Sequence, residues 1–294
     1  MSKPLTNKID FAIIIRVKNA NPNGDPINGN RPRINTDGLG EISDVALKRK
    51  LRNRLLDLGQ SILMQSHDYK NDNHQSVKER YDSVQSLKDV KEKNITKKGS
   101  KKEVAPTLYD DMIKAVSATW IDVRTFGQVL AGIDDDMASI AIRGPLSIQS
   151  AFSVEPVEFS STQITKSMNS KTETSTDGHY KKGSDTMGMK HRIDYGIYVT
   201  KGSINPQLAE KTGFTADDAR LLQQAMQTLF ENDATSARPS GSMEVLKVIW
   251  WEQAKDDNQT LVSSAKLHNS LVVDNEGNYT GASALVPALE LEGM

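Results

Sequence analysis

The chain has 294 residues, 37% of them hydrophobic, which is enough to bury a core in one large domain or two modest ones. It contains no cysteine, which excludes disulfides, thiolate nucleophiles and cysteine-ligated zinc. The formal net charge of −1 hides an asymmetry, because residues 1–105 carry 21 Lys and Arg against 13 Asp and Glu. That imbalance fits binding to a polyanion, although uneven scatter of surface charge explains it equally well.

The N-terminal segment has no long apolar stretch of the kind found in signal peptides. The longest apolar runs are far shorter than the roughly 20 residues that a bilayer span needs. We therefore expect a cytoplasmic protein without membrane contact.

The first predicted element is a buried strand over residues 9–17, which are rich in β-branched and aromatic side chains. Residues 19–43 follow, dense in Asn, Gly, Pro and Asp, and this composition predicts an ordered loop without helix or ladder hydrogen bonds. Its small residues, amide side chains and two arginines, Arg31 and Arg33, suit contact with phosphate. Such a loop could merely connect two elements, but a connection of this length inside a domain is usually functional.

A basic amphipathic helix is predicted next, capped by Ser43 and extending to about Leu58 with leucines at helical spacing. Its N-terminus adds a favourable partial charge for an anion. Lys48 and Arg52 stand four residues apart and therefore side by side. The other faces of the helix carry the basic side chains Lys48, Arg49, Lys50, Arg52 and Arg54.

Residues 60–119 are polar, show little apolar periodicity and include a Lys-rich stretch over 88–102, which predicts an insertion with a flexible loop. Order is expected again over 121–132, followed by a strand-like run over 141–157. Residues 160–188 hold almost no large apolar side chains and are expected to stay outside any core.

Strand character resumes over 191–204, a second helix with Thr215 as its N-cap is predicted over 215–232, and a strand follows over 242–253. Residues 254–294 mix weak strands and turns. Without the insertions the order is the βαββαβ order of a ferredoxin-like or RRM sheet, an α+β fold with two helices on one face.

No catalytic constellation is recognisable. The five histidines lack metal-ligand spacing, and the phosphate-cradling glycine motifs are missing. Asp134, Asp135 and Asp136 are the best candidates for holding magnesium beside a phosphodiester, but no second acidic cluster completes a two-metal site, so a solvated loop is the preferred interpretation. We expect no catalytic residue, no metal and no cofactor.

Several long motifs resemble a known family. They are the opening IIIRVKNANPNGDPINGNRPRINTDGLGEISDVALKRKLRN, then DVRTFGQVLAG, IRGPLSIQSAFSVEPV, QITKSMN, MGMKHRIDYGIYV and ARPSGSMEVLKV. Together they resemble the Cascade backbone subunits of type I CRISPR systems, most closely the subtype I-C branch of the Cas-seven superfamily. The resemblance covers about residues 9–252.

The resemblance implies a modified RRM-like core with large insertions, likened to a palm with fingers and a thumb, that polymerises along guide RNA (crRNA). Residues 1–59 then form the first strand, contact loop and basic helix of the palm, 60–140 a helical and basic insertion, 141–157 and 191–253 the rest of the palm, 158–190 a thumb, and 254–294 a C-terminal segment. RNA recognition is expected through backbone and shape, because the aromatic RRM motif is missing.

The residues expected to contact RNA are Asn19, Asn21, Asn23, Arg31, Arg33, Lys48, Arg49, Arg52, Arg143, Lys166, Lys190 and Arg192. The expected partners are guide RNA, a target DNA strand paired to the guide, neighbouring copies of the chain and other Cascade subunits. Two alternatives stay open: a metal-dependent ribonuclease using Asp134–Asp136, and a free-standing RNA-binding protein that acts as a monomer.

Overall fold

The computed structural model describes residues 4–98, 101–133, 139–165, 187–254 and 261–294. Its helices are α1 (Asp44–Asp57), α2 (Val77–Asp82), α3 (Gln85–Asn94), α4 (Leu108–Thr119), α5 (Ile121–Phe126), α6 (Pro206–Thr212), α7 (Ala216–Gln227) and α8 (Ser264–Ser270). The strands of the first half are β1 (Lys8–Ala20), β2 (Gly24–Asp25), β3 (Arg31–Pro32), β4 (Leu39–Ile42), β5 (Ile95–Lys98), β6 (Lys101–Val104), β7 (Gly127–Ala131) and β8 (Ser139–Arg143). Those of the second half are β9 (Leu146–Ile148), β10 (Ala151–Pro156), β11 (Phe159–Thr165), β12 (Met187–Ile204), β13 (Met243–Gln253), β14 (Val272–Val273), β15 (Tyr279–Thr280) and β16 (Ala288–Glu292).

The main sheet is antiparallel and is ordered β16-β13-β1-β12-β10-β4, with β9 and β11 also paired to β12. The central strand β1 is apolar over most of its length and almost wholly buried, as expected for a strand covered on both faces. Both long neighbours, β12 and β13, pair with it along nearly its whole length.

Helices α1 and α7 cover one face of this sheet. Alternate residues of β1, such as Phe11 and Ile13, pack with leucines of α1 and with Leu222 of α7 in one large apolar cluster. Both helices begin where the sequence predicts, because Ser43 and Thr215 accept hydrogen bonds from backbone N–H groups of their first turns. Asp218 completes a capping box at Thr215.

The C-terminal segment covers part of the opposite face. Leu267 and Leu271 pack with Trp251 in a second apolar layer, and the Trp251 indole N–H donates to the carbonyl oxygen of Ala282. In the β14–β15 turn, Asn275 accepts a hydrogen bond from the Tyr195 hydroxyl of β12, at 3.1 Å. Residues 261–294, which the sequence left unplaced, thus cover part of the sheet face opposite α1 and α7.

Residues 60–119, predicted as an insertion with a flexible loop and little apolar periodicity, contribute to an apolar core that the sequence did not indicate. Helices α2 to α5 and the β7–β8 hairpin enclose an apolar cluster of their own, centred on Tyr81, Met112 and Trp120. Tyr81 and Trp120 stack with their ring centroids 6.4 Å apart. Each of these short helices supplies only one to three buried apolar side chains, so no single segment shows a strong apolar period.

The prediction that residues 19–43 form no β-ladder hydrogen bonds is wrong. Strand β4 pairs with β10 at the edge of the main sheet, where Ile42 lies opposite Ala151. Strands β2 and β3 form a small hairpin around a turn of 3-10 helix at Pro26–Asn28. Asn and Gly at the remaining positions supply the turns, with Asn19, Gly29 and Asn30 in the left-handed region.

Strands β11 and β12 extend together as a two-stranded ribbon, paired from Phe159 opposite Ile193 to Thr165 opposite Met187. The ribbon carries exposed apolar side chains at Phe159, Ile164, Met187 and Met189. Residues 166–186 of the expected thumb lie outside the described residues. No helix among the described residues is long and apolar enough to cross a membrane.

Candidate nucleic-acid interface

The loop between β1 and α1 is held rigidly against the helix. The Asn23 side-chain oxygen accepts a hydrogen bond from the Ser43 backbone N–H at 2.9 Å, and the Asn23 carbonyl accepts one from Arg33 N at 3.0 Å. Asn21 is buried and donates to the carbonyl oxygen of Asn30 at 2.7 Å. Asn21 and Asn23 therefore shape the loop, whereas Asn19 is exposed at the end of β1.

The N-terminus of α1 is less open to an anion than the sequence suggests. Its first N–H groups already have acceptors, with Asp44 N donating to the Ser150 hydroxyl and Ala46 N to the Ser43 hydroxyl, both at 3.3 Å. The carboxylate of Asp44 also stands in the first turn. The N–H groups and the positive partial charge of this helix N-terminus are therefore largely satisfied by groups of the chain itself, which leaves little for an anion.

A cavity of about 490 Å³ opens between this loop, α1 and the segment that follows α7. Its walls include the side chains of Asn23, Arg49, Lys50, Asn53, Tyr69 and Arg238. Arg49 donates to the carbonyl oxygen of Met64. Burial, together with the positive charge of Arg52, lowers the pKa of Arg49 below its usual value, so a ligand that supplies negative charge would relieve this cost.

Two further cations of the cavity share one carboxylate. Lys50 is buried and pairs with Asp233, and the Arg238 guanidinium donates to the same carboxylate at 3.0 Å. Burial, which outweighs the attraction of Asp233, lowers the pKa of Lys50 to about 8. The cavity walls thus hold the three cations Arg49, Lys50 and Arg238 against the two carboxylates Asp68 and Asp233. The excess of positive charge suits a phosphate group.

Neither Lys50 nor Arg238 was in the set expected from sequence. Lys50 belongs to the basic helix, but nothing in its neighbours indicates that it points into a cavity. Arg238 lies in the ARPSGS motif, more than 180 residues away along the chain, and only the fold brings it to α1.

The structure separates Lys48 from Arg52. Lys48 is partly exposed and pairs with Asp44 at 3.0 Å along the helix. The Arg52 side chain is only 12% exposed, lies over the Phe126 ring at 4.6 Å from its centroid and donates to the buried Asp122 at 3.2 Å. Arg52 therefore connects α1 to α5, and Lys48 is the one that faces solvent.

Three other arginines of the predicted set lie at different places. Arg31 is exposed on β3, and Arg143 is exposed at the end of β8, and neither makes an ion pair within the part of the chain that the structure describes. Arg33 lies 3.7 Å from Asp25, and its Nε has no hydrogen-bond acceptor among the described residues. Arg33 belongs to the loop beside the cavity, whereas Arg143 lies at the end of β8, opposite Gly127 of β7.

The remaining residues of the set lie on or beyond the β11–β12 ribbon. Lys190 is paired in register with Thr162, and exposed Arg192 donates to the Ser160 hydroxyl at 3.1 Å. Lys166 lies outside the described residues, as do Asp134, Asp135 and Asp136. Elsewhere along the described ranges no group of three or more acidic or histidine side chains is placed to hold a metal ion.

Comparison with known proteins agrees with the motifs. A family model described as "CRISPR-associated protein Cas7" matches residues 7–285. A protein of that description from Haloferax volcanii is 28% identical over 249 residues, which cover 80% of this chain and 67% of the relative.

Two solved chains also match. A chain of a "CRISPR RNA-guided surveillance complex, pre-nicking" has 14% identity and a TM-score of 0.48, over 90% of this chain and 86% of that one. A chain of a "CRISPR RNA-guided surveillance complex" has 15% identity and a TM-score of 0.44, over 92% and 77%. Because the family model spans nearly the whole sequence, this chain belongs to the Cas7 family of CRISPR-associated proteins.

Proposed function

We propose that this protein is a guide-RNA-binding backbone subunit of a type I CRISPR effector complex, of the subtype I-C branch. Several copies polymerise along one guide RNA with other Cascade subunits, and the guide pairs with a strand of invading DNA. The chain holds the RNA and performs no chemistry, so it needs no metal or cofactor.

The observation that carries this proposal is the cationic cavity beside α1. Arg49, Lys50 and Arg238 converge there from α1 and from the segment after α7, and their excess charge faces an open cavity. Lys48 is partly exposed on the same helix, and Arg33 belongs to the adjoining loop. This arrangement suits the sugar–phosphate backbone of RNA, which presents a repeated negative charge.

The order of the core supports an RRM-like palm. Strands β13, β1, β12 and β10 lie side by side, and helices α1 and α7 connect them on one face, which is the order of a βαββαβ sheet. The opposite face is partly covered by the C-terminal segment, so stacking of bases on open sheet aromatics is not the mode we propose. Recognition by backbone and shape fits this covered sheet better.

The experiment that tests the proposal is co-purification from cells that carry a CRISPR array. We expect a multi-copy particle containing RNA of one length. Arg49→Gln and Arg238→Gln should each weaken binding to every RNA sequence alike. Each should also reduce the dependence of RNA affinity on salt concentration by the amount expected for the loss of about one phosphate contact. Arg220→Gln is the matched control, because Arg220 is exposed on α7 and its one ion pair in the described part of the chain is with Asp217 in the same turn. Recovery of a monomer without nucleic acid would contradict the proposal.

The absence of chemistry has its own test. Replacing Asp134, Asp135 and Asp136 together with Asn should leave interference intact, because another subunit would cut the target. Magnesium-dependent cleavage of guide-complementary RNA by the wild-type protein, lost in this variant, would establish the ribonuclease alternative instead.

A further inference from the structure

We infer that adjacent copies are joined by an apolar knob and groove: the Pro26–Asn28 turn of one copy, with Ile27 at its apex, inserts into a groove of the next copy. The groove is lined by Pro4, Leu5, Pro206 and Leu261. This inference rests on the proposed polymerisation and names the residues that would form its contact.

Ile27 is 97% exposed, the highest value among the exposed large hydrophobic residues that the structure describes. Single exposed apolar residues are ordinary on protein surfaces. This one differs because its turn is rigid: the Asp25 carboxylate accepts from Ile27 N at 3.2 Å, and the Asp25 carbonyl accepts from Asn30 N at 2.8 Å. Gly29 closes the turn in the left-handed region that glycine adopts most readily.

The knob is also anchored from below. The Asn21 side chain donates to the carbonyl oxygen of Asn30, and the Asn21 backbone N–H donates to Ala237 at 2.9 Å. A side chain held on so fixed a support loses little further conformational freedom when it docks. Such preorganisation favours insertion of Ile27 into a partner over a purely connecting role for the turn.

The groove has a volume of about 660 Å³, and its lining is more apolar than polar. It lies where the chain enters β1, beside the start of α6. Lys8, Gln207 and Glu210 supply its polar rim. An apolar floor with a charged rim is typical of a surface that receives an apolar anchor.

Knob and groove lie at opposite ends of the central strand. The groove precedes and includes the first residue of β1, and the knob follows its last residue. Thirteen residues of strand span about 40 Å, so the two features cannot meet within one copy. Complementary patches at opposite ends of a subunit give a head-to-tail contact, and repetition of that contact builds an open filament.

Charge complements the apolar fit. Arg31 is exposed at the base of the knob, opposite Asp25 in the β2–β3 hairpin, and Glu210 is exposed on the rim of the groove. Neither side chain forms an ion pair within the described ranges. An Arg31–Glu210 pair between copies would fix the orientation of docking, and it would move Arg31 from RNA contact to the contact between subunits.

Cysteine cross-linking tests the contact directly, because the chain has no cysteine of its own. Ile27→Cys protein and Gln207→Cys protein, mixed on guide RNA and oxidised, should give a covalent heterodimer that neither gives alone. A double variant in one chain should give a ladder of multimers. Ile27→Cys mixed with Val272→Cys, an exposed site away from the groove, should give none.

Particles of normal copy number that do not cross-link would overturn the knob-and-groove contact but not the proposed function. The same result is expected if residues 1–3 of the chain occupy the groove. Wild-type protein that forms no multi-copy particle would contradict the proposed function as well.

Substitution separates this contact from RNA binding. Ile27→Asp should reduce multi-copy assembly on a full-length guide at least tenfold and leave affinity for an RNA that holds one copy unchanged, whereas Val272→Asp should change neither. Arg31→Glu should weaken assembly, and adding Glu210→Arg should restore it. Loss of single-copy RNA affinity in Ile27→Asp, or failure of the charge reversal to restore assembly, would overturn the inference.

Discussion

Basic side chains are held differently in the cavity beside α1 and on the β11–β12 ribbon. In the cavity, Lys50 and Arg238 share Asp233, and Arg49 donates to a backbone carbonyl. On the ribbon, Arg192 is exposed, and its polar side-chain contacts among the described residues are with Ser160 and Asp194. Cations of the first kind are positioned before a ligand arrives, at a cost in desolvation. Those of the second kind are positioned by whatever binds them, at a cost in side-chain entropy.

The largest expected effect comes from removing the end of the ribbon. We predict that replacing residues 165–188 with a short Gly-Ser bridge leaves the core folded, since few of these residues are apolar, but abolishes multi-copy assembly on guide RNA. Circular dichroism and thermal unfolding would check the fold, and mass photometry the assembly. Particles of full length in the deletion variant would refute the thumb assignment.

The same region supplies a second measurement. Trypsin should cut the free protein at Lys171, Lys181 or Lys182 and should be blocked in the RNA-bound oligomer, since ordering by phosphate and by a neighbouring subunit would protect these sites. The three lysines lie outside the described residues. Equal cleavage in both states would show that assembly does not protect this stretch.

A smaller but still large effect is expected at Asp122, which connects α1 to the chain at Leu63 and Met64. This carboxylate is 1% exposed and accepts from Leu63 N at 2.9 Å, from Met64 N at 3.1 Å and from Arg52. Asp122→Ala leaves a nearly buried guanidinium and two N–H groups without an acceptor. We predict a loss of about 3–5 kcal/mol in the free energy of unfolding, measured with urea.

Asp217→Ala is the control for that prediction. Asp217 pairs with Arg220 on the exposed face of α7, where both side chains are more than half exposed. Its removal should cost less than about 1 kcal/mol, because an exposed pair contributes little. Equal effects of the two substitutions would mean that Asp122 does not connect the two apolar clusters as its contacts indicate.

A moderate effect on binding is expected from Lys48, and it contrasts with Arg52 on the same helix. Lys48→Ala should weaken binding to all RNA sequences alike and leave thermal stability nearly unchanged, because its one ion pair among the described residues is a partly exposed pair with Asp44. Arg52→Ala should lower stability, since its partner Asp122 is buried. A loss that depended on base identity would indicate direct base readout in place of phosphate contact.

Local signals in the sequence were sufficient for α1 and α7. Each helix has an N-cap whose side chain bonds the first turn, and both the cap and the apolar spacing lie within a few residues. Strand β4 was missed because its partner β10 lies more than 100 residues away, and only that pairing makes a four-residue segment a strand. The apolar cluster of α2 to α5 and the β7–β8 hairpin was missed because its side chains are distributed over several short helices and strands.

The candidate site likewise has features that local sequence predicts and features that depend on distant segments. The basic character of α1 was predictable, since it needs only composition and helical spacing. Which cation faces a cavity was not predictable, because the partners are distant in sequence: Asp122, 70 residues away, holds Arg52 away from the cavity, whereas Asp233, 183 residues away, holds Lys50 in its wall. Sequence spacing places residues on a helix face, whereas carboxylates from distant segments decide which of them remain available to a ligand.

The smallest expected effect concerns the proton of Lys50. Burial lowers its pKa to about 8, below the usual 10.5 that it regains on unfolding. As pH rises from 7 to 9, the folded protein loses this cation from the cavity, and RNA affinity should fall by less than about tenfold because only one of several charged contacts is lost. Over pH 8 to 10.5 the unfolded chain still binds the proton, so stability should rise as affinity falls. Fluorescence anisotropy of labelled RNA across this range, compared with Lys50→Met, would measure the effect. In that variant the decrease should vanish, and an unchanged pH profile would mean that another group titrates.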